Sequence, residues 1–457
     1  MSSIGSPSPF LLGGKKSLSV NRSLRFSKDD FAYFNRTPSS AGNRKTWTWS
    51  AWIKRGKIGS RQILFSADNN ATHATYIALE FQDDDNFRCL GGTETQSSQI
   101  TKETAMVFRD TSAWYHLVFI LDATNSSAKL YVNGSEVTDW NTNNNPTNQN
   151  YQINATTQHF LGRYGNTFGS YSDKSFDGYM AEVNFIDGQA YDPSYFGETD
   201  TTTGQWIPKQ YTGSYGTNGF YLKFADNSGT TATTLGKDSS GNGNNFTPNN
   251  FSVSAGAGND SVEDSPTNNF CTLNPLTLNM GASSNGTVSN GNLEWLGTSA
   301  NDNIAATMAV KSGKWYYEMT VGQNADKLVA GWTTVKETTN YTESALIYYN
   351  SAGIRGGNIT VVWNSTVTSS LNFATNDVIG FALNLDDYYL YVYENGSLVS
   401  TITLPTDKGD TWIPCCGDSS VTDASAIFNF GQRAFDYTQP TGYKKLNSTN
   451  LPDPTIL

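Results

Sequence analysis

The stretch KLYVNGSEV at residues 129–137 decides the class of the fold, and a near repeat, YLYVYENGSLV, stands at residues 389–399. In both stretches an Asn-Gly pair separates two runs that are rich in β-branched and aromatic residues. Asn and Gly supply the positive φ angles that a tight two-residue turn requires, so each pair predicts a β-hairpin. An apolar run precedes each hairpin, at residues 114–122 and 377–385, and extends it to a predicted three-strand meander.

The resemblance between the two stretches is local. Beyond the two meanders the halves of the chain do not align with each other, which indicates two different β domains and no tandem duplication. A chain of 457 residues is long enough for two domains. Only 16% of the residues are charged and 13% are aromatic, while Asn, Ser, Thr and Gly crowd every segment. This composition is typical of turn-rich sheets, so the fold is predicted to be all-β.

Charge and cysteine content exclude several classes of function. The formal net charge of -11 argues against nucleic-acid binding, because such proteins need a basic face. No apolar run reaches the roughly 18 residues of a membrane span, and the N-terminus lacks the basic-then-apolar order of an export signal. We therefore expect neither membrane insertion nor an export signal. Cys89, Cys271, Cys415 and Cys416 lack the spacing of a disulfide framework or a zinc site and are interpreted as small residues of strands.

The chain from about residue 24 to residue 196 resembles the laminin-G-like and pentraxin-like branch of the concanavalin A-like lectin superfamily. The resemblance rests on an ordered set of motifs: SLRFSKDDFAYFNR, WTWSAWIKRG, ILFSADNN, WYHLVFILD, KLYVNGSEV, FLGRYG and FDGYMAEVNFIDGQA. It implies a jelly-roll sandwich of two antiparallel sheets, and the alternation in WTWSAWI, residues 47–53, agrees with a strand of such a sandwich. Residues 219–247 resemble the family's opening strand but come late in this chain. Either they close the sandwich or they form a small satellite.

Residues 293–435 resemble the SPRY domain over nearly its full length. The matching blocks are KSGKWYYEMTVG, LVAGWTT, DVIGFALNLDDYYLYVYENGSLV, WIPCCGD and IFNFGQRAF. In the last block a core strand is expected to end at Gly431, and Phe435 is expected to fold back as an anchor. The resemblance implies a second, bent β-sandwich that recognises proteins or peptides through loops at one end and performs no catalysis.

The predicted organisation is therefore two antiparallel jelly-roll-type sandwiches joined by an irregular linker. It comprises an N-terminal anchoring segment (1–20), a lectin-like domain (21–251), the linker (252–289), a SPRY-like domain (290–437) and an extended tail (438–457). The linker is rich in Gly, Asn, Ser and Pro without a sustained period, and prolines in the tail forbid central strands.

Two phrases, DSPTNNFCTLNP in the linker and PTGYKKLNSTNLPDP in the tail, resemble structural and appendage proteins of marine tailed bacteriophages that join these two domain types. The resemblance implies a place on the surface of the virion. It also implies contact with other virion proteins through the N-terminal segment, a host surface glycan or protein as ligand, and assembly as a homo-oligomer.

Candidate catalytic groups are sparse. A lectin-fold glycanase needs two carboxylates that flank one bond, and the acid-dense stretches are EFQDDDNF at residues 80–87 and NLDDYY at residues 384–389. Glu80 and Gln82 share one face of a strand, whereas Asp83–Asp85 and the Asp386-Asp387 pair are predicted to form turns. His73, His116 and His159 stand on separate segments, and His116 is interpreted as a packing residue. An enzyme is not expected.

Calcium is the one cofactor that the sequence leaves open. Related lectin-like domains bind it with Asp, Asn and carbonyl oxygens, which SADNN (66–70) and DDDN (83–86) both supply. Ordinary β-turns use the same residues, and this is the favoured interpretation. No cofactor is therefore expected.

The predicted binding residues lie in loops that carry both aromatic rings and amide or carboxylate groups, the partners that sugars need. In the lectin-like domain they are Asp68, Asn69, Asn70, His73, Tyr164, Asn166 and Tyr171. In the SPRY-like domain they are Tyr348, Tyr349, Arg355 and Trp363. For each residue, a solvated loop or a packing role is the alternative.

The favoured hypothesis is a non-enzymatic virion protein, such as a tail fibre, head fibre or surface decoration, that recognises host glycan or protein. A phage-borne polysaccharide-degrading enzyme with an accessory binding domain is the first alternative. A secreted adhesin is the second, and it would require an export signal.

Overall fold

A computed structural model describes residues 18–68, 76–93, 99–165, 174–277, 286–298, 302–325, 327–334, 351–355, 359–360, 368–369, 373–404, 411–418 and 423–451. Nearly all of its regular structure is β-strand, as predicted. Helical structure in these ranges is limited to short 3₁₀ segments such as Ala123–Asn125, Pro193–Tyr195 and Pro275–Thr277. No helix in the described part of the chain is long and apolar enough to cross a membrane.

The strands have the following bounds: β1 (Ser23–Phe26), β2 (Tyr33–Arg36), β3 (Thr46–Arg55), β4 (Gln62–Asp68), β5 (Tyr76–Phe81), β6 (Asn86–Gly92), β7 (Gln99–Val107), β8 (Tyr115–Asp122), β9 (Ser127–Val132), β10 (Ser135–Glu136), β11 (Trp140–Asn144), β12 (Gln158–Leu161), β13 (Gly178–Asp187), β14 (Gly197–Thr199), β15 (Trp206–Pro208), β16 (Phe220–Leu222), β17 (Thr247–Asn249), β18 (Ser261–Val262), β19 (Thr287–Ser289), β20 (Glu294–Leu296), β21 (Asn303–Ala305), β22 (Lys314–Val321), β23 (Leu328–Thr334), β24 (Ser351–Arg355), β25 (Ile359–Thr360), β26 (Thr368–Ser369), β27 (Val378–Asn384), β28 (Tyr389–Glu394), β29 (Ser397–Thr403), β30 (Trp412–Asp418) and β31 (Ser425–Asn429).

The first half of the chain forms a sandwich of two antiparallel sheets. The first sheet has the strand order β10-β9-β8-β3-β13-β1-β18, with β16 also paired to β13, and the second has the order β11-β7-β6-β5-β4-β12-β2-β17. Alternate residues of β3, Trp47 and Trp49 among them, enter the core between the sheets, whereas Trp52 joins a separate cluster on the opposite face. Because β16 and β17 pair with strands of the two sheets, the segment 219–247 closes the sandwich and forms no satellite.

Both Asn-Gly hairpins form as the sequence predicts, and they share one further device. Asn133 and Asn395 have φ angles of 48° and 47° and join β9 to β10 and β28 to β29. The Asn133 side-chain oxygen accepts a hydrogen bond from the backbone N–H of His116 at 2.8 Å, and the Asn395 oxygen accepts one from Val378 at 2.9 Å. In return, the backbone N–H of Asn133 donates to the carbonyl of His116, and that of Asn395 donates to the carbonyl of Val378. The turn thereby ties the third strand of each meander to the first.

The second half of the chain forms another sandwich with a core of its own. Its seven-stranded sheet has the order β19-β20-β31-β22-β27-β28-β29, and a four-stranded sheet has the order β21-β30-β23-β24. Trp295, Tyr317 and Trp332 are fully buried in this second core. Its residues belong to a different cluster from those of the first half, so the two similar meanders lie in separate cores.

Phe435 folds back as predicted, with its ring centroid 4.9 Å from that of Tyr316. The strand before it ends at Asn429 and not at Gly431, which corrects the sequence-based bound. The reason is that the Asn429 side chain accepts from the backbone N–H of Gly431, at 3.0 Å, and Gln432 accepts from that of Phe430. These bonds take the backbone out of the sheet.

The segment assigned to a linker is built into both halves of the molecule. Val262 in β18 pairs with β1, while Cys271 and Leu273 are buried in the second core. The buried ammonium of Lys54 on β3 contacts the Asp264 carboxylate at 2.8 Å. The tail also packs, because Leu446 is fully buried in the second core. The domain boundaries drawn from the sequence stay a prediction, since a segment can join two domains and still pack in both.

Candidate functional site

The predicted binding loops of the first domain begin on the outer face of its second sheet. Along β5, Ile77, Leu79 and Phe81 point into the core, so Tyr76 and Glu80 lie on the opposite face. We call this side, away from the core, the outer face. Asp68 at the end of β4 pairs directly with Tyr76 and therefore lies on the outer face as well.

Tyr164 follows β12, the strand next to β4, and reaches the same place. It is only 3% exposed, its ring lies 5.5 Å from that of Tyr76 in a perpendicular arrangement, and its hydroxyl donates to Glu80 at 2.7 Å. The structure thus brings Asp68 and Tyr164, one from each predicted loop, close to Tyr76. Asn69, Asn70, His73, Asn166 and Tyr171 lie outside the described residues.

Glu80 is the centre of a cluster formed with Arg61, Arg88, Gln82 and Tyr164, which we call the Glu80 cluster. Its buried carboxylate contacts Arg61 at 2.9 Å and Arg88 at 2.7 Å, and accepts from the Gln82 amide at 2.7 Å. The bond from Gln82 confirms that these two side chains share a face.

The environment of the Glu80 cluster fixes the protonation of its partners. Burial is the largest single effect and lowers the pKa of Arg61, but the charge of Glu80, the interaction with Tyr164 and the hydrogen bond to Glu80 together outweigh it, so the pKa is raised. Burial and then the Glu80 charge raise the pKa of Tyr164 well above its usual value. Both groups therefore stay protonated donors to Glu80.

Two described carboxylates, Asp68 and Glu103, lie on the same face as Glu80, and neither is placed to act with it. Asp68 lies about 13 Å away along the sheet, since it pairs with a residue four positions before Glu80 on β5. Glu103 is closer, but Arg88 stands between, 2.7 Å from Glu80 and 3.9 Å from Glu103. A guanidinium thus fills the space where a glycosidic bond would have to lie.

An aromatic patch continues the outer face across β12 and β2. The guanidinium of Arg163 lies 4.3 Å from the ring centroid of Tyr33 and 5.7 Å from that of Phe160. Beside it the Asn249 amide donates to the side-chain oxygen of Asn35 at 2.8 Å. Half-buried Tyr33, Arg163 and the two amides offer an aromatic ring with planar polar groups, the partners that sugars need.

Sequence reasoning did not single out these strand residues. Its search was confined to loops, whereas Tyr33, Tyr76 and Phe160 stand on strands at positions that alternate with core residues. These residues could have been recognised as aromatic side chains at strand positions that face away from the core. In YIALEF, residues 76–81, for example, Tyr76 occupies such a position.

The acidic turn considered for calcium uses its oxygens within the protein. Asp84 accepts from the backbone N–H and the side-chain amide of Asn86, at 3.2 and 3.1 Å. Asp85 is bound by Arg55 and Arg109, each at 2.9 Å. These contacts outweigh burial and lower the pKa of Asp85. Over the described ranges, no group of three or more His, Cys, Asp or Glu side chains is placed to hold a metal.

His116 packs in the interior, as the sequence indicated. It is 1% exposed, its ring stacks 4.8 Å from that of Trp52, and its nitrogens are bonded to Ser50 and Trp206 at 2.9 Å each. Burial lowers the pKa of His116 to about 3, so the ring is neutral.

Most of the binding residues predicted in the second domain lie outside the described part of the chain. Tyr348, Tyr349 and Trp363 lie outside the described residues. Arg355 is the last residue of β24, paired with Val329, and its side chain is not described. The binding role of these four side chains therefore stays a prediction.

Residues 10–191 match the family model of the concanavalin A-like lectin/glucanases superfamily, in its laminin-G branch. The match falls in the first half of the chain and covers less than half of its length. No curated protein matches the chain.

Three solved structures illustrate what the chain is similar to. The SPRY domain of human HERC1 aligns at 16% identity and a TM-score of 0.29, covering 34% of this chain and 96% of that one. A heptameric SAP-like pentraxin from Limulus polyphemus aligns at 15% and 0.30, covering 38% and 80%. A putative carbohydrate binding protein from Bacteroides ovatus aligns at 18% and 0.32, covering 51% and 59%. Similarity at this level carries no functional inference.

Proposed function

We propose that the lectin-like domain binds glycan without cleaving it, on the outer face of its second sheet. The observation that carries the proposal is the aromatic patch, where Tyr33 and Arg163 stand beside the amides of Asn35 and Asn249. A sugar ring can stack on the exposed part of Tyr33 while its hydroxyls bond to the amides and the guanidinium.

The Glu80 cluster supports recognition over hydrolysis. A retaining or inverting glycosidase needs one carboxyl group free to give a proton and another free to attack or to activate water. Glu80 is held by Arg61, Arg88 and Tyr164, and the guanidinium of Arg88 separates it from Glu103. The cluster instead holds Tyr164 beside Tyr76.

The test is glycan binding by the full chain and by two matched variants. Tyr33→Ala removes the stacking ring and is expected to weaken binding about tenfold, the effect of roughly 1.4 kcal/mol of ring contact. Tyr131→Ala, on β9 of the opposite sheet, removes a half-buried tyrosine of similar size and should leave binding unchanged. Equal binding by all three proteins would reject the site. Release of reducing sugar from the bound polysaccharide would reject the non-enzymatic assignment and favour the glycanase alternative.

We further propose that the protein is a surface appendage of a phage particle, held by its N-terminal segment and presenting both sandwiches to the host. The phage-like phrases at residues 264–275 and 440–454 support this, and so does the pairing of two domains of recognition type. Assembly as a homo-oligomer would let sites of weak individual affinity act together.

Deletion of residues 1–17 tests the tether. The deletion spares Val20, which is buried against Trp52 and Tyr179, and so leaves these contacts in place. We expect the truncated protein to retain its fold and its glycan binding but to be lost from purified particles. Normal incorporation of the truncated protein would reject the tether while leaving the binding site untouched.

A further inference from the structure

A small cavity opens in the first sheet where two strands share one side of β13. β13 pairs with β3 along one side, and on the other side β1 pairs with Gly178–Met180 while β16 pairs with Val183–Phe185. The gap between β1 and β16 falls at Glu182. The cavity there has a volume of about 290 Å³. It is lined by Leu18, Ser19, Val20, Asn21, Arg22, Glu182, Tyr221, Lys223 and Ala225.

The backbone at Glu182 is bent in a way that aims its side chain into this cavity. The register of β13 against β3 shifts between Ala181 and Asn184, which marks a β-bulge, and Glu182 has a φ angle of 51°. Residues other than Gly, Asn and Asp seldom adopt this left-handed conformation. Met180, two residues before Glu182, and Val183, the residue after it, both enter the core. Without the extra residue of the bulge, the alternation would turn the carboxylate into the apolar interior.

The carboxylate of Glu182 is only partly satisfied. Glu182 is 8% exposed, and one oxygen accepts a short hydrogen bond from the Tyr221 hydroxyl. The other oxygen, Oε1, accepts no hydrogen bond from the described residues and is open to the cavity, where a ligand can reach it. Burial raises the pKa of Glu182 to about 7, against the lowering effects of the Tyr221 bond and the Lys223 charge. Near neutral pH the group can thus serve as an acceptor or, when protonated, as a donor.

Donors and an apolar wall complete the cavity. The Lys223 ammonium lies 5.0 Å from the centroid of the Tyr221 ring, and Arg22 forms a long bond, 3.4 Å, to Ser261. A simple cation would be repelled by these two charges, and a simple anion by ionised Glu182. A hydroxyl group both donates and accepts, so adjacent hydroxyls can bond to Glu182 and Lys223 together.

We propose that this cavity is a second ligand site, which binds one neutral sugar unit through adjacent hydroxyls held by Glu182 and Lys223. Its volume lies near the lower end of ligand pockets, which suits a single ring and excludes a polysaccharide chain. The apolar side chains of Leu18 and Val20 face the cavity and can cover the C–H surface of the ring. The site lies on the other sheet of the sandwich from Tyr33, so the inference does not depend on the glycan site proposed above.

The experiment uses the full chain with Tyr33→Ala as background, titrated with a panel of neutral monosaccharides and methyl glycosides by ligand-observed NMR. We expect saturable binding of at least one sugar, weakened at least tenfold by Glu182→Ala and by Lys223→Met. Glu103→Gln, a change at a half-exposed carboxylate of the opposite sheet, is the matched control and should leave binding unchanged. Thermal unfolding of each variant separates lost binding from lost fold.

Chemical acetylation provides a second readout that is local to the cavity. The sugar that binds should protect Lys223 from acetic anhydride, measured by mass spectrometry, while exposed Lys57 reacts at the same rate with and without the sugar. Absence of saturable sugar binding in the Tyr33→Ala background overturns the proposal. Binding that Glu182→Ala and Lys223→Met leave unchanged, or sugar binding without protection of Lys223, also overturns it.

Discussion

The shared turn device of the two meanders predicts that each Asn-Gly turn stabilises only its own sandwich. Asn133 combines two roles, because its backbone needs a positive φ angle and its side-chain oxygen accepts the hydrogen bond from His116. Asn395 combines the same two roles with Val378 as donor. Replacement by Gly removes only the side-chain bond, whereas replacement by Val also forces a β-branched residue into the left-handed region.

The two roles differ in expected size. Loss of the side-chain hydrogen bond should lower the free energy of unfolding by about 0.5 to 1.5 kcal/mol in Asn133→Gly. Strain at a β-branched residue adds about 1 to 3 kcal/mol, so Asn133→Val should cost roughly 2 to 4 kcal/mol in total. Asn133→Asp keeps an acceptor oxygen and tolerates the turn, so it should stay close to wild type. The corresponding control, Asn395→Asp, is not suitable. The Asn395 amide donates to Asp377 at 2.9 Å, and a carboxylate at position 395 would repel the Asp377 carboxylate.

Hydrogen exchange followed by mass spectrometry reads the two cores separately. Asn133→Val should accelerate amide exchange in β3 and β8 by roughly 30-fold or more and leave β22 and β27 unchanged, since about 1.4 kcal/mol corresponds to tenfold. Asn395→Val should do the reverse. Equal acceleration in both cores by either variant would show that the sandwiches unfold as one unit. Equal acceleration of exchange by Asn133→Gly and Asn133→Val would show that backbone strain contributes nothing.

Two further predictions concern buried charges. The folded-state pKa of Glu182, about 7, lies above its ordinary value of 4.5, so the protein should lose stability as pH rises through this interval; above pH 7 the loss amounts to about 3 kcal/mol. Glu182→Gln should remove this loss. The check is the free energy of unfolding of the variant, measured by chemical denaturation at pH 5 and pH 8. A decline between these pH values as large as that of the wild type would contradict the assignment. Lys54→Met leaves Asp264 buried without its ammonium partner and should cost about 3 to 5 kcal/mol, opening residues 252–277 to limited proteolysis. Lys129→Met, at an exposed ion pair, is the control, and the protease should cleave it no faster than wild type. If Lys54→Met resisted the protease as well as wild type, the Lys54–Asp264 pair would not hold residues 252–277 in place.

Features that depend on a few consecutive residues could be predicted from the sequence. The all-β class follows from composition and period-2 alternation, and the hairpins at residues 133–134 and 395–396 follow from the backbone freedom of Asn and Gly. The turns at Asp83–Asp85 and at Asp386-Asp387 also form as predicted. In each case the deciding interaction spans only a few residues, so no knowledge of distant strands was required.

The tertiary structure alone decided which residues meet. Glu80 meets Arg61 because β4 pairs with β5, and it meets Tyr164, 84 residues away in sequence, because β12 lies on the other side of β4. Glu182 faces a cavity because strands from both ends of the first domain share one side of β13. Lys54 and Asp264 meet for the same kind of reason. Strand order is set by the packing of two whole sheets around a core, a cooperative property that no local pattern of residues encodes.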